Sequence, residues 1–208
     1  MRLLICSLLV LPLLGQSPLE KKPNAGDVSI KTEVSSTEQL RSLAEQGNIE
    51  AQYKLVVALG EKENATSAEK AEKIKWCRKA AEKGHAGAQR LLGEMYTTGS
   101  IGSMNDGEAV KWYKLAAEQG DVDAQICTGI LYSTGGVGLR KMNSEVVVWL
   151  SLAEMYGAKL SPDVKGFRDT ALNEIIKFDP KLVNLIKARI LEIKNNIQKR
   201  KGASSNRP

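Results

Sequence analysis

The chain writes one phrase several times. The stretch "KWYKLAAEQGDVDAQ" (111–125) repeats "KWCRKAAEKGHAGAQ" (75–89). Its second half stands in "RSLAEQGNIEAQ" (41–52) and its first half in "VWLSLAEMYGA" (148–158). The three tryptophans, Trp76, Trp112 and Trp149, lie 36 and 37 residues apart, and each is followed eight residues on by a glycine: Gly84, Gly120 and Gly157. A period this long points to stacked supersecondary units, none of which can bury its apolar face alone.

Each unit reads as a helix pair. The Trp-led, Ala-rich segment has high helix propensity and closes on Gly, the residue that most easily takes the left-handed conformation ending a helix. Four residues later Ala51-Gln52, Ala88-Gln89 or Ala124-Gln125 opens the next helix, and so short a connection makes the pair antiparallel. Small alanines let the backbones approach, while Trp and Tyr fill the wider gaps. Asn105 with Glu108 fits a capping box opening a Trp helix. Thus the expected fold is an all-α, right-handed α-solenoid of antiparallel helix pairs ending in a C-terminal capping helix.

Residues 88–120 carry a recognisable pattern: Ala88, Gln89, Leu92, Gly93, Met95, Tyr96 and Gly99, a turn, then Glu108, Ala109, Trp112, Tyr113, Ala116, Ala117, Glu118 and Gly120. This resembles the Sel-1-like repeat, a relative of the tetratricopeptide repeat. The 36–37 residue spacing argues against tetratricopeptide repeats proper, whose period is about 34. The resemblance extends over about 37–177 with departures: Val56 and Leu59 stand for Gly and Tyr, Thr128 for Leu, and Val147 for Ala. It implies a protein-interaction adaptor with no chemistry of its own.

The ends read differently. "MRLLICSLLVLPLLGQSP" has one Arg and an apolar run too short to span a bilayer, the layout of a secretory signal peptide. The expected division is therefore 1–17 signal peptide, 18–36 flexible linker, 37–178 solenoid of about three repeats and 179–208 basic amphipathic helix and tail, with the mature protein periplasmic or secreted. Helices are expected from Ser161-Pro162-Asp163 to about Lys177, and from Asp179 (N-cap) and Pro180 to about Lys199. Net charge is +6, but 181–208 alone contributes +7, so the repeats are close to neutral. Cys77 and Cys127 are expected as two thiols buried in helices, although an exported chain could pair them.

Nothing in the pattern reads as an active site. His85, the only histidine, occupies the position of Asn48 and Asp121 in the sister repeats, where a helix cap is expected. No Cys/His cluster has metal-ligand spacing, and no cofactor is expected. "TGGVGLRK" falls where "TGSIGSMN" falls one repeat earlier, so it reads as a turn rather than a phosphate loop.

Two surfaces are candidates for binding. In related solenoids the first helix of each repeat lines the concave side. Aligning the Ala-Gln helices puts Lys54, Leu91 and Cys127 in one variable column and Val57, Glu94 and Ile130 in another three residues on, a strip suited to a peptide or partner helix. The alternative is that these residues contact the neighbouring repeat. In the last helix Val183, Ile186, Ile190, Ile193 and Ile197 form a heptad-like seam among basic residues. The seam could cap the last repeat, self-associate as a homodimer, or bring the basic face to an anionic membrane or cell-wall surface. Nucleic acid is not an expected partner, because the basic run has no aromatic interleaving. A rival reading is β-lactam binding or hydrolysis, as linked to some secreted relatives; those carry a cysteine pair in every repeat, which is missing here.

Overall fold

The computed structural model describes residues 29–60 and 64–205. The described residues form helices α1 (Ser29–Glu45), α2 (Ile49–Gly60), α3 (Ser67–Glu82), α4 (Ala86–Thr98), α5 (Asp106–Ala117), α6 (Val122–Thr134), α7 (Asn143–Met155), α8 (Pro162–Phe178) and α9 (Leu182–Ser205). From α1 to α8 each packs on the one before and the one after, an all-α solenoid in which α2, α4 and α6 are the Ala-Gln helices and α3, α5 and α7 the Trp helices.

The repeated phrase builds three devices. The glycine closing each odd-numbered helix from α1 to α7 has a φ of 92–93° (Gly47, Gly84, Gly120, Gly157), a conformation that strains a side-chain-bearing residue. Asn48 Oδ1, His85 Nδ1 and Asp121 Oδ1 then accept the backbone N–H of Ala51, Ala88 and Ala124, so the histidine is an N-cap like its sisters. Finally, Gln52, Gln89 and Gln125 are buried, and each donates its amide to the carbonyl of Ala44, Ala81 or Ala117 in the preceding helix. The glutamine stitches one helix to the last where the small alanines bring them close.

Packing explains where the repeats depart from one another. A Cβ at Gly93 would lie 2.9 Å from the Tyr113 ring, and one at Gly129 would lie 2.6 Å from Leu150. At the same places in the first repeat stand Val56 and Cys77, both fully buried. The larger Val is accommodated because its counterpart is small, so the summed volume is kept. Two apolar clusters result, one from Ala44 to Met95 and one from Ala109 to Ile186, with Tyr96 packed against both. Cys77 lies in the first cluster and Cys127 in the second, both buried as thiols rather than joined in a disulfide.

Several boundaries differ from expectation. The chain is already helical at Ser29, inside the stretch 18–36 expected as a linker; no Gly or Pro between 29 and 46 interrupts it, and 18–28 lies outside the described residues. The stretch 1–17, expected as a signal peptide, also lies outside them. Asn105 caps the Glu108 N–H, but Glu108 does not return the bond and turns to Lys111, so only half of that capping box forms. A complete one opens α3, between Thr66 and Glu69. The last helix begins at Leu182, after a turn that contains Pro180, and continues to Ser205. The "TGGVGLRK" segment is a tight turn, with Gly136 and Leu139 exchanging backbone hydrogen bonds, and it rests on the start of α5 through Asp106.

The helix α9 departs from the regular stack. It packs on α7 more than on α8, its own hairpin partner. Arg189 bonds the buried carboxylate of Glu145 at the start of α7. Tyr156, just past the end of α7, donates to the Lys194 carbonyl and lies under the Lys201 ammonium. Beyond that, Arg200 donates to the Glu118 carbonyl and Ile197 meets Gly120, in the turn that closes α5. The Trp-helix side of the last repeat is thereby covered, and α7, apolar on nearly every side, is enclosed by α6, α8 and α9.

Candidate interaction surface

The six residues of the expected strip do not share one environment. On α2, Lys54 and Val57 are exposed; on α4, Glu94 is exposed and Leu91 half-buried against the first core cluster. On α6, Cys127 and Ile130 are buried, at 6% and 1% exposure. The strip therefore stops before the third repeat, because α8 stacks on both α6 and α7. What remains open is a two-helix face. Lys54 pairs with Glu50, whose carboxylate also reaches His85 at 3.2 Å, while the His85 ring stacks on Tyr53 at 4.2 Å. Arg90, one position before Leu91, is held by Asp121 at 3.2 Å, and burial pushes the nearby Asp123 carboxyl up against the pull of the Arg90 charge. These contacts fix α2, α4 and α6 relative to one another beside the open columns.

The C-terminal seam is engaged within the chain. Ile186 and Ile197 are buried, and Val183, Ile190 and Ile193 pack against the second core cluster. Of the three readings of the seam, the packing is that of a capping helix rather than of a free self-association face: its apolar partner is the chain's own solenoid. The helix leaves the end of the stack only partly covered, so Ile176, Phe178 and Leu185 stay exposed, Phe178 at 75%.

A feature that sequence reading passed over is the glutamate four residues before every tryptophan: Glu72, Glu108 and Glu145. The Trp76 and Trp149 indoles donate to their glutamates at 3.4 and 2.8 Å. Each of those carboxylates also takes an arginine from another helix, Arg41 from α1 and Arg189 from α9. The Arg41 hydrogen bonds hold the Glu72 carboxyl below its ordinary range, against the upward push of burial. The spacing was visible in the alignment of the repeats and would have marked these carboxylates.

Elsewhere an open cleft of about 700 Å³ lies between α8 and the turn before α7, with Val146, Phe167 and Ala171 among its lining and Lys141, Asp163 and Glu174 charged beside them. No residue of the expected sites lines it. Among the described residues no group of three His, Cys, Asp or Glu could hold a metal, and no helix is long and apolar enough to cross a membrane.

The family model of the Sel1 repeat matches residues 74–85 and 86–121, covering α4 and α5 and the Trp76 half of the unit before them. The stretch 74–121 is thus a Sel1 repeat match, and the fold is that of Sel1-repeat proteins. The chain is similar to the crystal structure of a Sel1 repeat protein from Oxalobacter formigenes, at 29% identity and a TM-score of 0.53, over 64% of this chain and 96% of that one. It also shares its fold with c5321, a protective antigen of uropathogenic Escherichia coli strains displaying an SLR fold. Identity there is 20% and the TM-score 0.51, and although 97% of this chain is covered, it spans only 47% of c5321. Comparison with curated proteins gives no match. Sel1 repeats in general mediate protein–protein contacts, and the family is typically a non-catalytic scaffold.

Proposed function

We propose that this protein is an exported adaptor that holds a partner protein or peptide on the α2–α4 face and performs no chemistry of its own. The observation that carries the reading is the open pair of columns: Val57, 37% exposed on a rigid helix, lies beside Lys54, and the next helix continues them with Leu91 and Glu94. An apolar anchor flanked by one cation and one anion, on helices locked by capping and stitching contacts, binds with little ordering entropy to lose. The apolar run before residue 18 supports export to the periplasm or medium. A photo-crosslinking residue placed at 57 or 94 is expected to trap one dominant adduct in native envelope extract, and one placed at the α8 end, at 176, is not. Equal labelling from all three positions removes the assignment of the face. Fusing residues 1–17 to a reporter active only outside the cytoplasm checks export separately.

A further inference from the structure

The three Glu–Trp pairs sit on equivalent stripes of successive Trp helices, and the stripes are occupied differently. On α7 the stripe is Glu145, Trp149, Leu152 and Tyr156, at steps of 4, 3 and 4, so it forms one face. Both its ends meet α9, through Arg189 on Glu145 and Lys194 with Lys201 on Tyr156, and Trp149 and Leu152 between them are fully buried. On α3 the stripe is Glu72, Trp76, Lys79 and Lys83. Here Arg41 takes the carboxylate, the Lys75 and Lys79 ammonium groups lie over the indole, and Trp76 is 3% exposed.

On α5 the same stripe is Glu108, Trp112, Leu115 and Gln119. Leu115 is 44% exposed where its counterpart Leu152 is wholly buried, and Trp112 is only half-buried. Among the described residues no arginine meets Glu108 and no acceptor meets the Trp112 indole N–H. The only partner of Glu108's carboxylate among the described residues is Lys111 of the same helix, an exposed pair that holds the carboxylate weakly.

We infer that the α5 stripe, Glu108, Trp112 and Leu115, is a docking site for an arginine-bearing amphipathic helix of a partner protein, seated as α9 is seated on α7. The occupant's chemistry is read from the sister stripe. Aliphatic residues at heptad spacing cover Trp112 and Leu115, and a guanidinium replaces Lys111 on Glu108 with the bidentate geometry that a lysine lacks. The chain's own α9 is already spent on α7, and it reaches α5 only at the closing turn, near Glu118 and Gly120. The stripe from Glu108 to Leu115 is left open. The inference rests on the adaptor reading but places the contact on the Trp helices, away from the α2–α4 face.

The test uses the full chain and a labelled synthetic peptide of residues 182–196, which carries the aliphatic seam and Arg189. Fluorescence anisotropy is expected to show saturable binding, weakened tenfold or more by Leu115→Glu and by Glu108→Gln in the protein, and by Arg189→Glu in the peptide. Leu115 is solvent-exposed and Glu108 half-buried, with a carboxylate that Gln replaces isosterically, so both variants keep the fold, as a helical circular-dichroism spectrum verifies. Hydrogen exchange of residues 106–117 should slow when peptide is added. Absence of saturable binding overturns the inference. So does binding untouched by the two α5 variants, which would mean that the peptide merely exchanges with α9 on α7. Neither result bears on crosslinking from positions 57 and 94, so the adaptor reading stands or falls independently.

Discussion

Replacing Arg189 by Met isolates the contact that holds α9 in place. Glu145 is 4% exposed, and its carboxylate is satisfied by the Arg189 guanidinium and the Trp149 indole N–H. Without Arg189 a buried charge keeps a single donor. Removing one member of a buried pair costs about 3–5 kcal/mol, but the Arg189 side chain is 41% exposed, so water reaches it and the expected loss is nearer 2–3 kcal/mol. In a chain of this size each kcal/mol moves the thermal midpoint by roughly 3 °C, so the expected fall is about 6–9 °C. The assay is thermal and urea unfolding of four proteins: the parent, Arg189→Met, Glu145→Gln, and both together. Glu145→Gln keeps an acceptor for Trp149, and the double variant should be no worse than Arg189→Met alone, because the uncompensated charge is gone. An Arg189→Met protein as stable as the parent refutes the reasoning, and so does a double variant that loses the sum of the singles.

Burial pushes the Cys77 thiol up to about 11. The folded chain therefore holds that proton where the unfolded chain, titrating near 9, has released it. The thiol's contribution to stability is present below pH 9 and is lost as pH rises towards 11. Urea midpoints should fall over that window more steeply in the parent than in Cys77→Ala, and iodoacetamide should label Cys77 at pH 8 only after unfolding. Gly93→Ala drives a methyl into the Tyr113 ring and should cost about 1–3 kcal/mol by urea titration, and the cost should shrink in a Tyr113→Cys background, which copies the small residue opposite Val56. Asp121→Ala removes both the cap on Ala124 and the partner of Arg90, an expected loss of about 1–2 kcal/mol, whereas Asp121→Asn keeps the cap and should lose less.

The layered fold was legible because it is written periodically: caps, closing glycines and the Ala-Gln pair recur at one spacing, and each marks a helix end. The binding columns were legible only in part. Aligning repeats treats them as equivalent, yet the third repeat has a neighbour that the first two lack on the same side, so Cys127 and Ile130 went under α8. That difference was already present in "ICTGILY" (126–132), apolar around the whole helix where the α2 and α4 segments alternate with charge. The Ile seam of α9 shows a different limit. Heptad spacing declares that a helix has an apolar partner but carries no sign of whose. It is long-range contacts such as the Arg189–Glu145 pair, Arg200 on the Glu118 carbonyl and Ile197 against Gly120 that assign it to the same chain.

The long reach of α9 changes how the molecule comes apart. In a solenoid whose layers touch only their neighbours, terminal layers fray one at a time and stability is close to a sum of nearest-neighbour steps. The contact between Arg200 and the Glu118 carbonyl spans 82 residues and skips a layer. The last layer cannot peel away without dragging α9 off α7 and off the turn beneath it, which would uncover Glu145, Ile186 and Ile197 at once. From α5 onward the chain should therefore exchange its amide hydrogens as one cooperative block. The described N-terminal layers, tied only to adjacent layers, should open earlier and separately, so unfolding has a preferred direction, beginning at α1.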